Sequence, residues 1–155
     1  MSVTEWIIED DGRIPCVAVI ADQSATSGHY VDTVSTVFNA DTIILDRGDI
    51  ADLSLNRIAI RRGGKYRLSG SAISPGVMHN EDILRGQIVV NSTAVVLFGM
   101  QSSGLNQRLS VSLNKTQDLV AADYTNLQIQ PFTGTNVTWD SAASRAPTLT
   151  VEEIL

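Results

Sequence analysis

Apolar and polar residues alternate over short runs of this chain, and that period of two limits the folds open to it. In "RLSVSLN" the apolar residues are Leu109, Val111 and Leu113, and in "NLQIQPF" they include Leu127 and Ile129. Such runs, bounded by Gly, Asn, Pro or Asp, are typical of half-buried β-strands joined by turns. The spacing of an amphipathic helix is almost absent from the sequence. The chain is therefore predicted to be all-β.

About ten short strands are predicted, with turn residues between them. Their ranges are 14–21, 35–39, 42–46, 56–61, 65–73, 87–91, 93–100, 108–114, 126–132 and 147–155. Many short strands favour an antiparallel β-sandwich over a parallel sheet. A chain of 155 residues with 43% hydrophobic residues is long enough for one domain with its own core. We expect this domain at residues 13–155, preceded by an N-terminal arm at residues 1–12.

The charge and the apolar runs exclude two classes of partner. Seventeen acidic residues against eleven basic ones give a net charge of −6, which argues against nucleic acid as a partner. The longest apolar runs, "CVAVIA" and "AVVLFGM", are too short to cross a bilayer. Glu5, Glu9 and Asp10 near the N-terminus are the reverse of the basic start of an export signal. We therefore expect no membrane partner and synthesis in a cytoplasm.

No set of residues predicts catalysis, a cofactor or a metal. The single cysteine, Cys16, lies in "IPCVAVIA", where a small buried hydrophobic residue is expected rather than a reactive thiol. Neither His29 nor His79 has a second ligand at the spacing of a zinc site, and no Gly-x-Ser-x-Gly motif is present. Glu152 and Glu153 are adjacent on a predicted strand, so they point to opposite faces. A non-enzymatic protein is predicted.

The segment "DRGDIAD", residues 46–52, carries Asp46, Asp49 and Asp52. Carboxylates are good calcium ligands, but the spacing is not that of an EF-hand loop. The embedded Arg47-Gly48-Asp49 is the tripeptide that integrins bind, and such short strings arise readily by chance. A tight turn is favoured over either kind of site.

The segment "RRGGKYRLSGSA", residues 61–72, has two interpretations. Gly63-Gly64 is predicted to form a turn with positive φ, followed by a strand with Tyr66 and Leu68 on one face. The arginines could form a patch that binds a phosphate or a glycan. Four aspartates precede them, and opposite charges on neighbouring strands commonly pair. Charges that face solvent and pair with neighbouring acids, or that pair between subunits, are the favoured interpretation. The aspartates are Asp41, Asp46, Asp49 and Asp52.

Three segments resemble one family of jelly rolls. "GGKYRLSGSAIS" resembles the Gly-x-Tyr strand of tumour necrosis factor-like and complement globular-head domains. "RLSVSLNKTQDLVAADYTNLQIQPFTG" is similar to their later pair of strands, which a Leu-x-x-Gly-Asp turn connects. Leu119, Ala122 and Asp123 fall at this turn, with Ala122 in place of the glycine. "RIPCVAVIA" and "RAPTLTVEEIL" correspond to the first and last strands.

The resemblance implies a function as well as a fold. Because the sequence shows no collagen-like stalk and no membrane anchor, it looks most like the versions found in bacteriophage virions. These imply a homotrimeric jelly roll that decorates or cements the outer surface of a major capsid protein lattice. The alternative is a receptor- or glycan-binding module at the tip of a tail or head fibre. Under either, the protein would be a virion component.

Two groups of residues are predicted to contact other chains. Aromatic and apolar residues are favoured at subunit interfaces, which gives these trimer-interface candidates: Tyr66, Tyr124, Phe132, Leu149 and Val151. For each of the aromatic residues taken alone, packing in the core of its own chain is the favoured interpretation. Trp6, Ile7 and Ile8 form an apolar cluster in the N-terminal arm. This arm either folds back on its own domain as a short strand or docks on a neighbouring subunit or the capsid.

Overall fold

The computed structural model describes residues 13–23, 32–73, 82–102, 109–133 and 146–155, with the backbone alone for residues 94–102. Within these ranges the chain forms eleven strands and one short 3-10 helix. They are β1 Val17–Ala21, β2 Thr36–Val37, β3 Thr42–Arg47, β4 Ala51–Asp52, the 3-10 helix Leu53–Leu55, β5 Arg57–Ala59, β6 Gly64–Ile73, β7 Ile83–Val90, β8 Ala94–Ser102, β9 Ser110–Leu119, β10 Tyr124–Phe132 and β11 Thr148–Ile154. No helix in these ranges is long and apolar enough to cross a membrane.

The predicted strands are confirmed, with shifts of a few residues at their ends. β4 and the 3-10 helix were not predicted, because elements of two and three residues are too short to show a period. The arm, with Trp6, Ile7 and Ile8, lies outside the described residues. So do His29 and His79.

The strands form two antiparallel sheets packed face to face. One sheet has the order β3-β1-β11-β6-β9, and the other has the order β4-β5-β10-β7-β8, with β2 also paired to β10. β11 lies in the middle of the first sheet, where it pairs with β1 and β6. The predicted all-β sandwich is therefore confirmed, and the first and last strands are neighbours.

The core lies between the sheets and follows the alternation in the sequence. Along β6, Tyr66 and Leu68 are buried while Lys65 and Arg67 are exposed, as predicted. The sheets approach closely at Gly86 of β7, where a Cβ atom would lie 2.9 Å from Cγ1 of Val111. Only glycine fits this approach without moving a buried valine.

The turn between β9 and β10 matches the predicted one. β9 ends at Leu119 and β10 begins at Tyr124. The Asp123 carboxylate accepts a hydrogen bond from the Val120 amide at 2.9 Å, and the Ala122 amide donates to the Ile60 carbonyl at 2.9 Å. Ala122 has a φ of 78°, in the left-handed region that favours glycine. This explains why the related turn carries glycine at the same place.

Replacing Ala122 with glycine is expected to stabilise the protein by about 1 kcal/mol, because glycine relieves the strain of a positive φ. Ala121 is the matched control: it lies in the same turn without a positive φ, so Ala121→Gly should be neutral or destabilising. Urea unfolding of both variants measures the difference. A loss of stability in Ala122→Gly would contradict the strain argument.

The positive φ predicted for Gly63-Gly64 is wrong. Neither residue has one, whereas Gly48 has a φ of 114°. Gly64 is already extended as the first residue of β6. Gly63 runs beside the β9–β10 turn, where a Cβ atom would lie 3.7 Å from the Leu119 carbonyl oxygen. The chain reverses without requiring a left-handed glycine at this point.

Candidate functional site

The arginines of the basic stretch have acidic partners within the chain. The pairs are Arg57–Asp52 at 3.1 Å, Arg61–Asp49 at 3.6 Å, Arg62–Glu153, and Arg67–Glu152 at 3.0 Å. This confirms the prediction of internal pairing over a polyanion site. Two of the partners come from the last strand rather than from the aspartates upstream. Sequence distance alone could not indicate that β11 pairs with β6.

Glu153 is the most buried of these acids. Its side chain is 2% exposed, and its carboxylate accepts hydrogen bonds from the Arg62 guanidinium and, at 3.0 Å, from the Cys16 amide. Arg62 also donates to the Ile14 carbonyl at 3.0 Å. The pair therefore joins the segment before β1, the β5–β6 connection and β11. Glu152 points to the opposite face, as the alternation predicted.

Glu153 and Arg62 also influence the pKa values of Tyr66 and Cys16. The Tyr66 hydroxyl donates to the Arg62 carbonyl at 2.9 Å, and burial, reinforced by the negative charge of Glu153, raises its pKa to about 12. Burial also raises the pKa of the Cys16 thiol above its ordinary value. A buried, protonated thiol matches the predicted small hydrophobic residue. These groups support the fold and present no activated nucleophile.

A cleft of about 420 Å³ lies beside this cluster, lined in part by Ile14, Cys16 and Gly48. Arg61 and Arg62 also line it, but they are paired with Asp49 and Glu153. These two arginines are thus already engaged in holding the chain together.

The segment "DRGDIAD" forms the predicted tight turn. The Asp46 carboxylate accepts hydrogen bonds from the amides of Ile50 at 3.0 Å and Ala51 at 3.1 Å. Asp49 and Gly48 both have positive φ. The three aspartates engage different partners, and no group of His, Cys, Asp or Glu in the described residues could hold a metal ion.

Three of the predicted interface residues belong to the core of the single chain. Tyr66 is 1% exposed, and Leu149 and Val151 are fully buried. These side chains have almost no surface to offer a second chain, because β6 and β11 turn them towards the opposite sheet; for them the interface assignment is corrected to a core role. Tyr124 and Phe132 are half-buried, and for them it stays a prediction.

An apolar edge, consisting of Ile43, Ile44 and Leu45 of β3, lies exposed on the described surface, and the sequence did not reveal it. These side chains are 44%, 54% and 44% exposed, on a strand at the edge of its sheet. A register shift between Val19 and Ile20 of β1 interrupts the pairing beside them. Residues 42–46 were predicted as a strand, but a run of three apolar residues gave no sign of facing solvent.

A second feature, the Tyr124 cleft, lies against the outer face of the other sheet. It has a volume of about 390 Å³, and its lining includes Leu55, Asn56, Arg57, Ser92, Tyr124 and Asn126. The 3-10 helix supplies Leu55, β10 supplies Tyr124 and Asn126, and the β7–β8 turn supplies Ser92. This cleft could not be predicted from the sequence, since its residues come from four separate parts of the chain, including Val37 of β2.

Asn126 is the unusual residue of the Tyr124 cleft. Leu127 and Ile129 face the core, so Asn126 points to the outer face of the sheet, where a polar residue is ordinarily solvated. Here it is only 4% exposed, and its Oδ1 atom has no hydrogen-bond partner among the described residues. A buried amide oxygen without a partner is uncommon in native proteins.

Hydrogen bonds around Asn91 hold the cleft in place. The Asn91 side chain donates to the Asp123 carboxylate at 2.8 Å and accepts from the Tyr124 amide at 3.0 Å. The Tyr124 hydroxyl lies 3.3 Å from the Ser92 hydroxyl. Asn56, Asn91 and Ser92 all have positive φ. Left-handed residues fixed by such bonds mark loops whose conformation is closely specified.

Known structures share this fold at low sequence identity. The globular domain of a zebrafish complement 1qA protein is 16% identical with a TM-score of 0.62, over 90% of this chain and 97% of that one. Murine APRIL, in a crystal at pH 8.0, is 13% identical with a TM-score of 0.67, over 90% of this chain and 99% of that one. No family model matches the sequence, and no curated protein does. The fold is thus a jelly roll of the tumour necrosis factor and C1q type.

Proposed function

We propose that this protein is a non-enzymatic virion protein: a homotrimeric jelly roll that decorates the outside of a bacteriophage head and stabilises it. The observation that carries the proposal is the combination of the tumour necrosis factor- and C1q-type fold with an exposed apolar edge on the described surface. The capsid assignment extends the resemblance of the strands to tumour necrosis factor-like and complement jelly rolls, a fold that bacteriophage virions also use. Its localisation would be the outer capsid surface, and its partner the major capsid protein lattice.

Association with another subunit would cover the exposed edge of β3, which is otherwise prone to aggregation. An edge strand with exposed backbone groups and three exposed apolar side chains is a template for uncontrolled strand pairing. Covering Ile43, Ile44 and Leu45 with another subunit removes that hazard and buries apolar surface, worth about 25 cal/mol per Å². Closed cyclic symmetry satisfies all copies equally, so a trimer that closes adds no further subunits.

The residues with charge support a structural role. Glu153, Arg62 and Tyr66 bond to one another or to backbone groups inside the fold. The other three arginine pairs lie between neighbouring strands or turns. Arg57, Arg61 and Arg62 line clefts, but each is held by a carboxylate of the same chain.

The oligomeric state tests the trimer. Light scattering of the full chain should give three times the 16.7 kDa of one chain, about 50 kDa. Ile44→Lys should reduce this mass to that of a monomer, since it places a charge in the covered edge. Val120→Lys is the matched control, because Val120 is 64% exposed but lies in the β9–β10 turn. A monomeric wild-type protein would overturn the trimer, and an unaffected Ile44→Lys trimer would remove the β3 edge from its interface.

Copy number in purified particles tests the capsid assignment. Hundreds of copies on each head support decoration, and loss of the protein should then make heads burst at lower temperature or osmotic stress. Only a few copies at a tail or fibre would support the second candidate, a receptor- or glycan-binding module at a fibre tip. The Tyr124 cleft is the observation that favours this second candidate. Absence from the particle would contradict both.

A further inference from the structure

We propose that the Tyr124 cleft binds a neutral sugar residue. The argument starts from Asn126, whose amide oxygen is buried in the cleft wall without a protein partner in the described residues. Leaving such a group unsatisfied costs about 1–3 kcal/mol. The side chain lines the cleft, and a small rotation would bring Oδ1 to its surface, where a ligand hydroxyl could donate to it and remove this cost. The amide nitrogen beside it is a donor, so one sugar hydroxyl or two adjacent ones can use both atoms.

The rest of the lining offers both apolar and polar surface, which are the two kinds of surface that a sugar presents. Leu55 is 55% exposed, and with the Tyr124 ring it gives the cleft apolar surface. Ser54, Asn56 and Ser92 add hydroxyl and amide groups. A pyranose ring presents C–H groups on its faces and hydroxyls at its rim, and both kinds of surface find partners here.

The charges in the cleft favour a neutral ligand over an anion. Arg57 is the cation in its lining, and its Nε donates to the Asp52 carboxylate at 3.1 Å. The guanidinium also lies over the Tyr124 ring, with Cζ 4.8 Å from the ring centroid. Because the charge of Arg57 is already balanced by Asp52 and its face lies on an aromatic ring, the cleft attracts an anionic ligand less than a free arginine would.

The size and stiffness of the cleft fit a small ligand. Its volume of about 390 Å³ lies at the lower end of the usual range for ligand pockets, enough for one or two sugar rings. The hydrogen bonds of Asn91 hold Tyr124 and the β7–β8 turn before any ligand arrives. A preformed site loses less conformational entropy on binding. The inference does not depend on the trimer or on the capsid.

Nuclear magnetic resonance of the full chain tests the site directly. The probes are glucose, galactose, mannose, rhamnose, N-acetylglucosamine and N-acetylgalactosamine, with glucuronic acid and N-acetylneuraminic acid as charged comparisons. At least one neutral sugar should shift the signals of the Asn126 side-chain amide and the Leu55 methyl groups in a saturable way. No shift at these groups with any neutral sugar would overturn the proposal, as would binding of the charged sugars alone.

Variants separate the cleft from other surfaces. Asn126→Ala should weaken the binding at least tenfold, and Leu55→Ala, at an exposed position that the fold does not need, should weaken it several-fold. Val120→Ala is the control, since Val120 is exposed outside the cleft. If Asn126→Ala fails to fold, Leu55→Ala alone decides. Equal affinity in Leu55→Ala and Val120→Ala would overturn the assignment. Failure here leaves the measured mass of the trimer unchanged, so the two proposals fail separately.

Discussion

Replacing Glu153 with alanine is expected to lower the free energy of unfolding by about 3 kcal/mol. The substitution removes the acceptor of the Cys16 amide and the partner of Arg62, both held by a carboxylate that is 2% exposed. Removing one member of a buried pair is costly because the other keeps its charge without compensation. The Arg62 side chain is 36% exposed, and the water it reaches keeps the loss at the lower end of the range. Urea unfolding at one fixed protein concentration measures the change.

Glu152→Ala is the matched control for this prediction. Glu152 precedes Glu153 on β11, faces the other way and pairs with Arg67 at 3.0 Å. Both of these side chains are about half exposed, at 45% and 52%, so the substitution should cost less than about 1 kcal/mol. Equal losses in the two variants would show that burial does not distinguish the two ion pairs.

Leu149→Ala is expected to lower the free energy of unfolding by about 3 kcal/mol, through lost burial and the cavity left behind. Leu149 is fully buried on β11, the middle strand of its sheet. The variant should keep the mass of the wild-type assembly, because the side chain faces the core of its own chain. Unfolding in urea and light scattering on the same samples give the two quantities.

Thr150→Ala provides the comparison for Leu149. Thr150 is the next residue on the strand and half-buried on the opposite face, so its replacement should cost under about 1 kcal/mol. The assignment of Leu149 to the core would be contradicted if Leu149→Ala dissociated the assembly with little change in stability.

The period of two was enough to predict the sandwich, since burial on one face of a strand imposes it directly. The β9–β10 turn was also predictable, because Leu119 and Asp123 stand at fixed places in a pattern with a known geometry. It could be predicted that the arginines pair with acidic residues, but not which acidic residues they pair with. Arg62 pairs with Glu153, which lies 91 residues away in the sequence. Such contacts depend on which strands become neighbours, and strand order is not a local property.

Exposure was the least predictable quantity. Leu149 and Val151 were expected at an interface and are buried, whereas Ile43 and Ile44 were expected only as strand residues and are exposed. Alternation tells which residues share a face but not which face meets the other sheet. The burial of Asn126 could not be predicted either, because the residues around it come from elements distant in sequence.

The pairing of β1 with β11 has a practical consequence for handling the protein. Val17 stands opposite Glu152, so Arg13 and Leu155 emerge at the same pole of the sandwich. The β9–β10 turn, which leads into Tyr124, lies at that pole too, because Leu119 pairs with Gly64 beside the end of β11. An affinity tag or surface linkage after Leu155 would crowd the neighbourhood of the cleft. A circular permutant that joins the two ends and opens at the far pole would free it.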